Sequence, residues 1–296
     1  MLPLMSSTRP ISECRLVNGS SGDPLLYIDY PGKNNALLFD SGELCNLDTQ
    51  RLADLEAVFI THHHMDHFVG FDRILRANLD SDKVVHIFGP VGTIAKIYQR
   101  ITSYEIQFFP FQKVIFKVHE VVGKRLRWAN LECARRFPEP VIKVSPCKGP
   151  LIFENADIQV EAVPVDHTVP CLAYALVEKG GARVAYVTDT LWSAKSRPGL
   201  VKLATRACRL YCDSFYALAD KKAAITHKHM TATHAAQLAR LAKVQELVLI
   251  HFSTRYRDRY QDLVDEAAAI FPNVTAEFGG QPRRPAGCGS PLHNKQ

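Results

Sequence analysis

The sequence predicts an α/β fold in which several strands run out at one shared edge. Three observations lead there. Short apolar runs alternate with segments of helical periodicity along much of the chain. Several of those runs stop at, or within a residue or two of, a histidine or an aspartate. One of them, Ala57-Val58-Phe59-Ile60, empties into Thr61-His62-His63-His64-Met65-Asp66-His67. A strand that ends in a histidine-rich loop places side chains at the rim of a sheet, where ligands bind. The i, i+2 spacing of His62 and His64 lets both point to one side of an extended loop, and Asp66 and His67 follow a turn later. Imidazoles with one carboxylate suit zinc, or another borderline divalent ion, far better than calcium or magnesium.

In chain order, residues 11–17 and 25–30 read as short strands around the turn Asn18-Gly19-Ser20-Ser21-Gly22-Asp23-Pro24. Leu37-Leu38-Phe39 is a third strand, ending at Asp40-Ser41-Gly42-Glu43. Residues 47–55 predict a helix capped by Asp48 or Thr49, with Leu52 and Leu55 facing inward. The central strand and its histidine loop follow, then Gly70 and a helix-like segment. Residues 84–88 form a strand closed by Gly89-Pro90, and residues 93–101 repeat Ile94, Ile97, Tyr98 and Ile101 at helical spacing. Between residues 108 and 153 only the alternation of 113–122 stands out as a strand. Lys124, Arg125, Arg127, Arg135 and Arg136 cluster there around Trp128, as a solvated face or as a phosphate-contact surface with an aromatic for stacking.

The second half is clearer. Residues 158–165 form a strand running into Asp166-His167-Thr168. Residues 172–178 and 182–187 form a hairpin around Gly180-Gly181, ending at Thr188-Asp189-Thr190. Leu210-Tyr211-Cys212 leads to Asp213. Residues 231–243 predict a helix capped by Thr231, with Ala235, Leu238, Ala239 and Ala242 on one face. Residues 246–250 form a strand ending at His251, and residues 263–271 a last helix. Residues 1–278 are expected to make one domain, and 279–296 a loose tail rich in Gly, Pro and Arg. His62, His167, Asp189, Asp213 and His251 each stand at or just beyond the end of an apolar run, which is how a sheet gathers distant residues at one edge.

Composition narrows the class. With 296 residues, 47% hydrophobic and 22% charged, the chain can bury a large core. No apolar run approaches the ~20 residues of a membrane helix, and the first dozen residues lack a signal-peptide pattern. The eight cysteines are scattered without a C-x-x-C pair, which predicts reduced thiols and a cytoplasmic protein. A net charge of +6 favours a polyanionic substrate mildly.

These residues together resemble the metallo-β-lactamase superfamily. Its H-x-H-x-D-H motif stands as His62-His63-His64-Met65-Asp66-His67, with ordered matches at His167, Asp189 and His251. Within the superfamily the chain looks most like tRNase Z (ribonuclease Z), the endonuclease family that trims precursor tRNA 3′ ends. His251-Phe252-Ser253-Thr254-Arg255-Tyr256 matches that family's H-F-S-x-R-Y. His229-Met230-Thr231 matches its H-S-T element, and the segments from Gly19 to Pro24 and Asp40 to Glu43 resemble its N-terminal motifs. The family's H-E-A-T appears here as Cys212-Asp213-Ser214-Phe215, so a shorter carboxylate must come closer to His229. Its long Gly/Pro-rich tRNA-gripping arm has no counterpart between residues 108 and 153, and the Arg-Asn expected after Pro24 is missing.

The resemblance implies a four-layer αβ/βα sandwich, two mixed sheets flanked by helices, with a dinuclear site at one edge. His62, His64 and His167 would hold one divalent ion, and Asp66, His67 and His251 the other, with Asp189 bridging. Zn2+ is expected, with Mn2+ or Fe2+ as substitutes. His63 fills a variable position and is not a ligand. Two cations sharing a water bring its pKa toward neutrality, and Asp66 can align that nucleophile and take its proton. His229, held by Asp213, would give the ribose leaving oxygen its proton. Lys228 and Arg255 would contact phosphate, Arg255 alternatively forming a structural ion pair. Thr231 would bind phosphate or cap its helix, while His227 and His234 read as ordinary surface residues. The family is commonly dimeric, which implies a homodimer. Precursor tRNA is the expected substrate; the alternative is a same-fold hydrolase of small phosphodiesters, cyclic nucleotide or aryl, or of lactones or β-lactams.

Overall fold

The computed structural model describes residues 13–29, 36–147 and 149–278. The expected tail at 279–296 lies outside the described residues. Two sheets carry the architecture among them. The first contains β1 (Glu13–Leu16), β2 (Leu26–Asp29), β3 (Ala36–Phe39), β4 (Leu55–Phe59), β5 (Val84–Gly89), β6 (Ile115–Val122), β7 (Arg125–Glu132) and β8 (Lys143–Pro146), side by side in chain order. Strands β3 to β6 are parallel, and antiparallel strands flank them on both sides. The second contains β9 (Leu151–Glu154), β10 (Ile158–Val165), β11 (Cys171–Glu178), β12 (Arg183–Val187), β13 (Arg209–Asp213), β14 (Glu246–Ile250) and β15 (Val274–Ala276). Here β9 to β12 pair antiparallel and β12 to β15 parallel.

Helices cover the outer faces. On the first sheet these are α1 (Thr49–Ala53), α3 (Phe71–Asn78) and α4 (Thr93–Thr102), with the single turn α2 (Met65–Phe68) at the sheet's edge. On the second they are α5 (Arg197–Ala204), α7 (Ala232–Ala242) and α8 (Tyr260–Ala268), with α6 (Lys221–His227) alongside. Strand periodicity produces the layers. In β14, Leu247 and Leu249 join the outer core while Val248 and Ile250 face the core between the sheets. Ala57 and Phe59 point into that middle layer, Val58 and Ile60 away from it. A strand apolar on both faces must be buried on both. The result is the expected αβ/βα sandwich.

The middle layer also fixes the strand that feeds the histidine loop. Phe59 is fully buried and stacks on Phe39 and Phe88, with ring centroids 4.9 and 5.2 Å away. From the opposite sheet, the Tyr174 hydroxyl donates to the carbonyl of Ile60 at 2.6 Å. Truncating a buried Phe of this kind costs about 3–5 kcal/mol.

Several local expectations need correction. The helix expected over 47–55 is only α1: Asp48 caps it, accepting from the Arg51 N–H at 2.9 Å, and Leu55 already belongs to β4. Leu52 and Leu55 are both buried, so their helical spacing came from two different elements. The last helix begins at Tyr260, before the expected 263. The stretch 108–153 holds β7, β8 and β9 as well as β6; prolines and interleaved basic residues hide their alternation. The hairpin at Gly180-Gly181 stands, with Gly181 at φ +101°, a conformation that favours glycine. Helix α7 has the expected buried face and is capped by Thr231.

Candidate metal centre

Strand direction assembles the site. The C-terminal ends of β4, β10, β12, β13 and β14 deliver His62, His167, Asp189, Asp213 and His251 to one edge of the sandwich. His64 stands just before the short turn α2, which presents Asp66 and His67. His251 has φ +62°, and Asp40, after β3, has φ +60°. Such backbone costs of order 1–3 kcal/mol in a non-glycine residue and collects at functional sites.

Asp189 is the centre. One carboxylate oxygen lies 3.5 Å from His62 Nε2, 3.5 Å from His167 Nε2 and 3.7 Å from His229 Nε2. Its other oxygen lies 3.3 Å from His67 Nε2 and 2.9 Å from His251 Nδ1. Asp66 is 3.2 Å from His251 Nε2 and 3.4 Å from His67 Nε2. Ligand atoms of His62, His64, His167 and Asp189 lie within 4.8 Å of one another, as do those of Asp66, His67 and His251. A third grouping joins Asp189, Asp213, His229 and His251.

The electrostatics make Asp189 a sink for positive charge. Burial opposes its ionisation, but His251 and His67 hold its carboxyl well below the usual range. Burial likewise opposes charge on His67 and His251, yet Asp189 lifts both well above an ordinary imidazole. Burial and its neighbour His67 instead push His62 down to about 2. For Asp66, burial raises the carboxyl, but hydrogen bonding with His251 and His67 outweighs it and the net shift is down.

The residues fit a pair of divalent ions. His62 Nε2, His67 Nε2, Asp189 Oδ1, Asp213 Oδ1 and His251 Nδ1 are buried and, close as some of them lie to one another, make no hydrogen bond of good geometry among the described residues. Leaving one such atom unsatisfied costs about 1–3 kcal/mol, and here five gather at one spot. An all-imidazole and carboxylate donor set suits a divalent transition ion.

Around these atoms stand the remaining expected residues. His229 Nδ1 lies 3.1 Å from Asp213 Oδ2, so the shorter carboxylate does reach it. Lys228 forms an ion pair with Asp166 at 2.9 Å, and its carbonyl lies 3.1 Å from His167 Nδ1, so it braces a site histidine. Arg255, partly exposed, is 3.3 Å from Asp220 and lies over the Tyr216 ring. Thr231 is fully buried, and its hydroxyl accepts from the His234 N–H at 3.2 Å: it is the helix cap. His234 completes that capping box and is buried, which corrects its reading as a surface residue. His227 is exposed, and His63 turns away from the centre to Thr93 Oγ1 at 2.9 Å.

Asp40 had no role in the sequence reading beyond its motif. Fully buried, it lies 2.8 Å from His67 Nδ1 and accepts from the Thr61 N–H at 2.7 Å and the Tyr186 hydroxyl at 3.2 Å. It therefore orients His67 and fixes which nitrogen faces the centre. Its signal was present: it directly follows an apolar strand, as the other site residues do. Phe215 was also missed; it stacks on His229 at 4.4 Å.

Fold and site together define a metal-dependent hydrolase of the metallo-β-lactamase fold. The sequence profile of the beta-lactamase superfamily domain matches residues 42–252. A protein named ribonuclease Z from Deinococcus radiodurans is 29% identical, over 80% of this chain and 88% of its own. Another named ribonuclease Z, from Chlamydia trachomatis serovar L2, is 32% identical over 81% of this chain and 84% of its own. The crystal structure of human tRNase Z, short form, superposes with a TM-score of 0.58 at 24% identity, over 82% of this chain and 93% of that one. The chain belongs to the ribonuclease Z family of the beta-lactamase superfamily.

Proposed function

We propose that this chain is an endoribonuclease that trims the 3′ end of precursor tRNA by hydrolysing a phosphodiester and leaving a 3′-hydroxyl. In this reading His62, His64 and His167 would hold one zinc ion and Asp66, His67 and His251 a second, with Asp189 lying between the two sets. When bound, the pair supplies an activated water and offsets the charge that builds on the phosphate oxygens. Asp66, more exposed than its neighbours, aligns that nucleophile and accepts its proton. His229 donates to the departing ribose oxygen. Asp213 accepts from its Nδ1 side, which leaves Nε2 facing the centre beside Asp189. Burial works against a charged His229, but Asp213 overrides it and the imidazole holds its proton more tightly than usual. A homodimer in the cytoplasm belongs to the same proposal.

The observation that carries this reading is the His229–Asp213 pair, with His229 Nε2 3.7 Å from Asp189 at the centre of the site, where an alkoxide leaving group would need an acid. The names of the relatives support it. The test is cleavage of a defined precursor tRNA with both product ends mapped. Cleavage at the 3′ side of the tRNA body should stop on chelation and return with zinc. Turnover of bis(p-nitrophenyl) phosphate or a lactone beside intact precursor tRNA sinks the tRNA reading in favour of a small-substrate hydrolase.

A further inference from the structure

The first sheet continues past β5 as β6, β7 and β8, and the face it turns inward there carries positive charge. Pairing register runs from Phe59 across Phe88, His119 and Trp128 to Lys143. Phe59 and Phe88 lie in the core between the sheets, so the row belongs to the inward face. Lys117 precedes His119 by two residues on β6 and shares that face. The ammonium groups of Lys117 and Lys143 stand over the Trp128 ring, 4.8 and 4.9 Å from its centroid.

Neither lysine has a carboxylate partner among the described residues, whereas Arg127 is 3.3 Å from Glu120 and Arg135 is 3.9 Å from Glu132. Of the basic cluster read from the sequence, Arg127 and Arg135 are paired; Lys117 and Lys143 lie outside that cluster and are held against Trp128 instead of a carboxylate. With two cations over its ring, Trp128 is a scaffold for charge and not a stacking platform for a base. Two ammonium groups fixed on one rigid indole suit adjacent backbone phosphates.

Position supports one occupant. Trp128 lies three strands from β4, about 14 Å at ~4.8 Å per strand, and His62 lies three residues beyond Phe59, about 10 Å further along the strand. The combined distance, roughly 17 Å, is one that a few consecutive nucleotides of an RNA strand can span. We infer that the inner face of β6–β8, centred on Lys117, Trp128 and Lys143, binds backbone phosphates of the base-paired stem of an RNA whose end lies at the metal centre. This rests on the RNA reading above and gives it a contact surface where no long arm is found in the sequence.

The test is equilibrium binding, by fluorescence anisotropy, of a labelled RNA hairpin without a 3′ trailer to the metal-loaded protein, across a salt series. Lys117→Gln with Lys143→Gln should weaken binding at least fivefold. The slope of log affinity against log salt should fall by close to 2, since each phosphate contact contributes about 0.9. Lys202→Gln with Arg240→Gln, equal in charge and on helices outside the second sheet, should leave the slope unchanged. Equal affinity and slope for the β6–β8 variant and the wild type overturn the inference, as does an equal loss in the control. Thermal midpoints of both variants report on folding. Binding of a hairpin is read without cleavage, so failure of the protein to cut precursor tRNA would sink the proposed function separately.

Discussion

Asp213 Oδ2 stands 3.1 Å from His229 Nδ1, and the same oxygen accepts from the Met230 N–H at 2.9 Å. The carboxylate is fully buried, so this contact fixes the imidazole in one orientation. His229 lies outside the two histidine sets proposed to hold the ions. His229→Ala should therefore lower kcat on a phosphodiester by about 10²–10⁴, the usual contribution of a positioned acid. Metal content by elemental analysis should stay at the wild-type value. Loss of an ion would show that His229 is a ligand and not the proton donor.

Asp40 is fully buried and lies 2.8 Å from His67 Nδ1. Asp40→Asn keeps the volume and removes the charge that sets the ring's tautomer. Partners of this kind are worth about 10–100-fold in metal affinity. Chelator competition should show one ion released 10–100-fold more easily and the other held as before. Wild-type affinity at both sites would refute a role for Asp40 in holding His67.

Thr231 separates capping from phosphate binding. Its hydroxyl accepts from the His234 N–H, and the His234 ring nitrogen accepts from the Thr231 N–H at 3.4 Å. Thr231→Val should cost about 1 kcal/mol, a fall in Tm of roughly 2–4 °C, with KM for RNA unchanged. Thr231→Ser should restore the Tm. A raised KM at unaltered Tm would instead place the hydroxyl on the substrate.

The edge of the sandwich was legible because its residues obey one local rule, a polar side chain at the end of an apolar strand. His62, His167, Asp189, Asp213 and His251 all follow it, and so does Asp40, whose partner across the sheet is set only by folding. The strands β7 and β8 were not legible. Lys143 and Val144 are exposed there and Trp128 is only partly covered, so burial imposes no clean alternation. The Lys117–Trp128–Lys143 arrangement was hidden for a further reason: it joins three strands whose register no single stretch encodes. Conversely, the Leu52 and Leu55 spacing looked helical because a helix and a strand happen to bury successive leucines.

Arg100 ties α4 to α3. Its Nε and Nη2 donate to the two carboxylate oxygens of Asp72 at 2.7 and 2.8 Å, and the Tyr104 hydroxyl donates to one of them at 2.6 Å. Burial raises the Asp72 carboxyl, but donation from Arg100 and Tyr104 outweighs it and holds the group below its ordinary value of 3.8. A carboxylate depressed in the folded state stabilises above its unfolded pKa, and that contribution disappears as pH falls through the folded value. About a third of each side chain is exposed, so solvent screening keeps the contribution at or below about 1 kcal/mol. Asp72→Asn should therefore lower Tm by roughly 2 °C at pH 7. The gap from wild type should narrow only once the pH drops below 3.8, and close below the folded pKa. A gap that persists undiminished at the lowest pH where both proteins remain folded would mean that Asp72 acts through packing and not through charge.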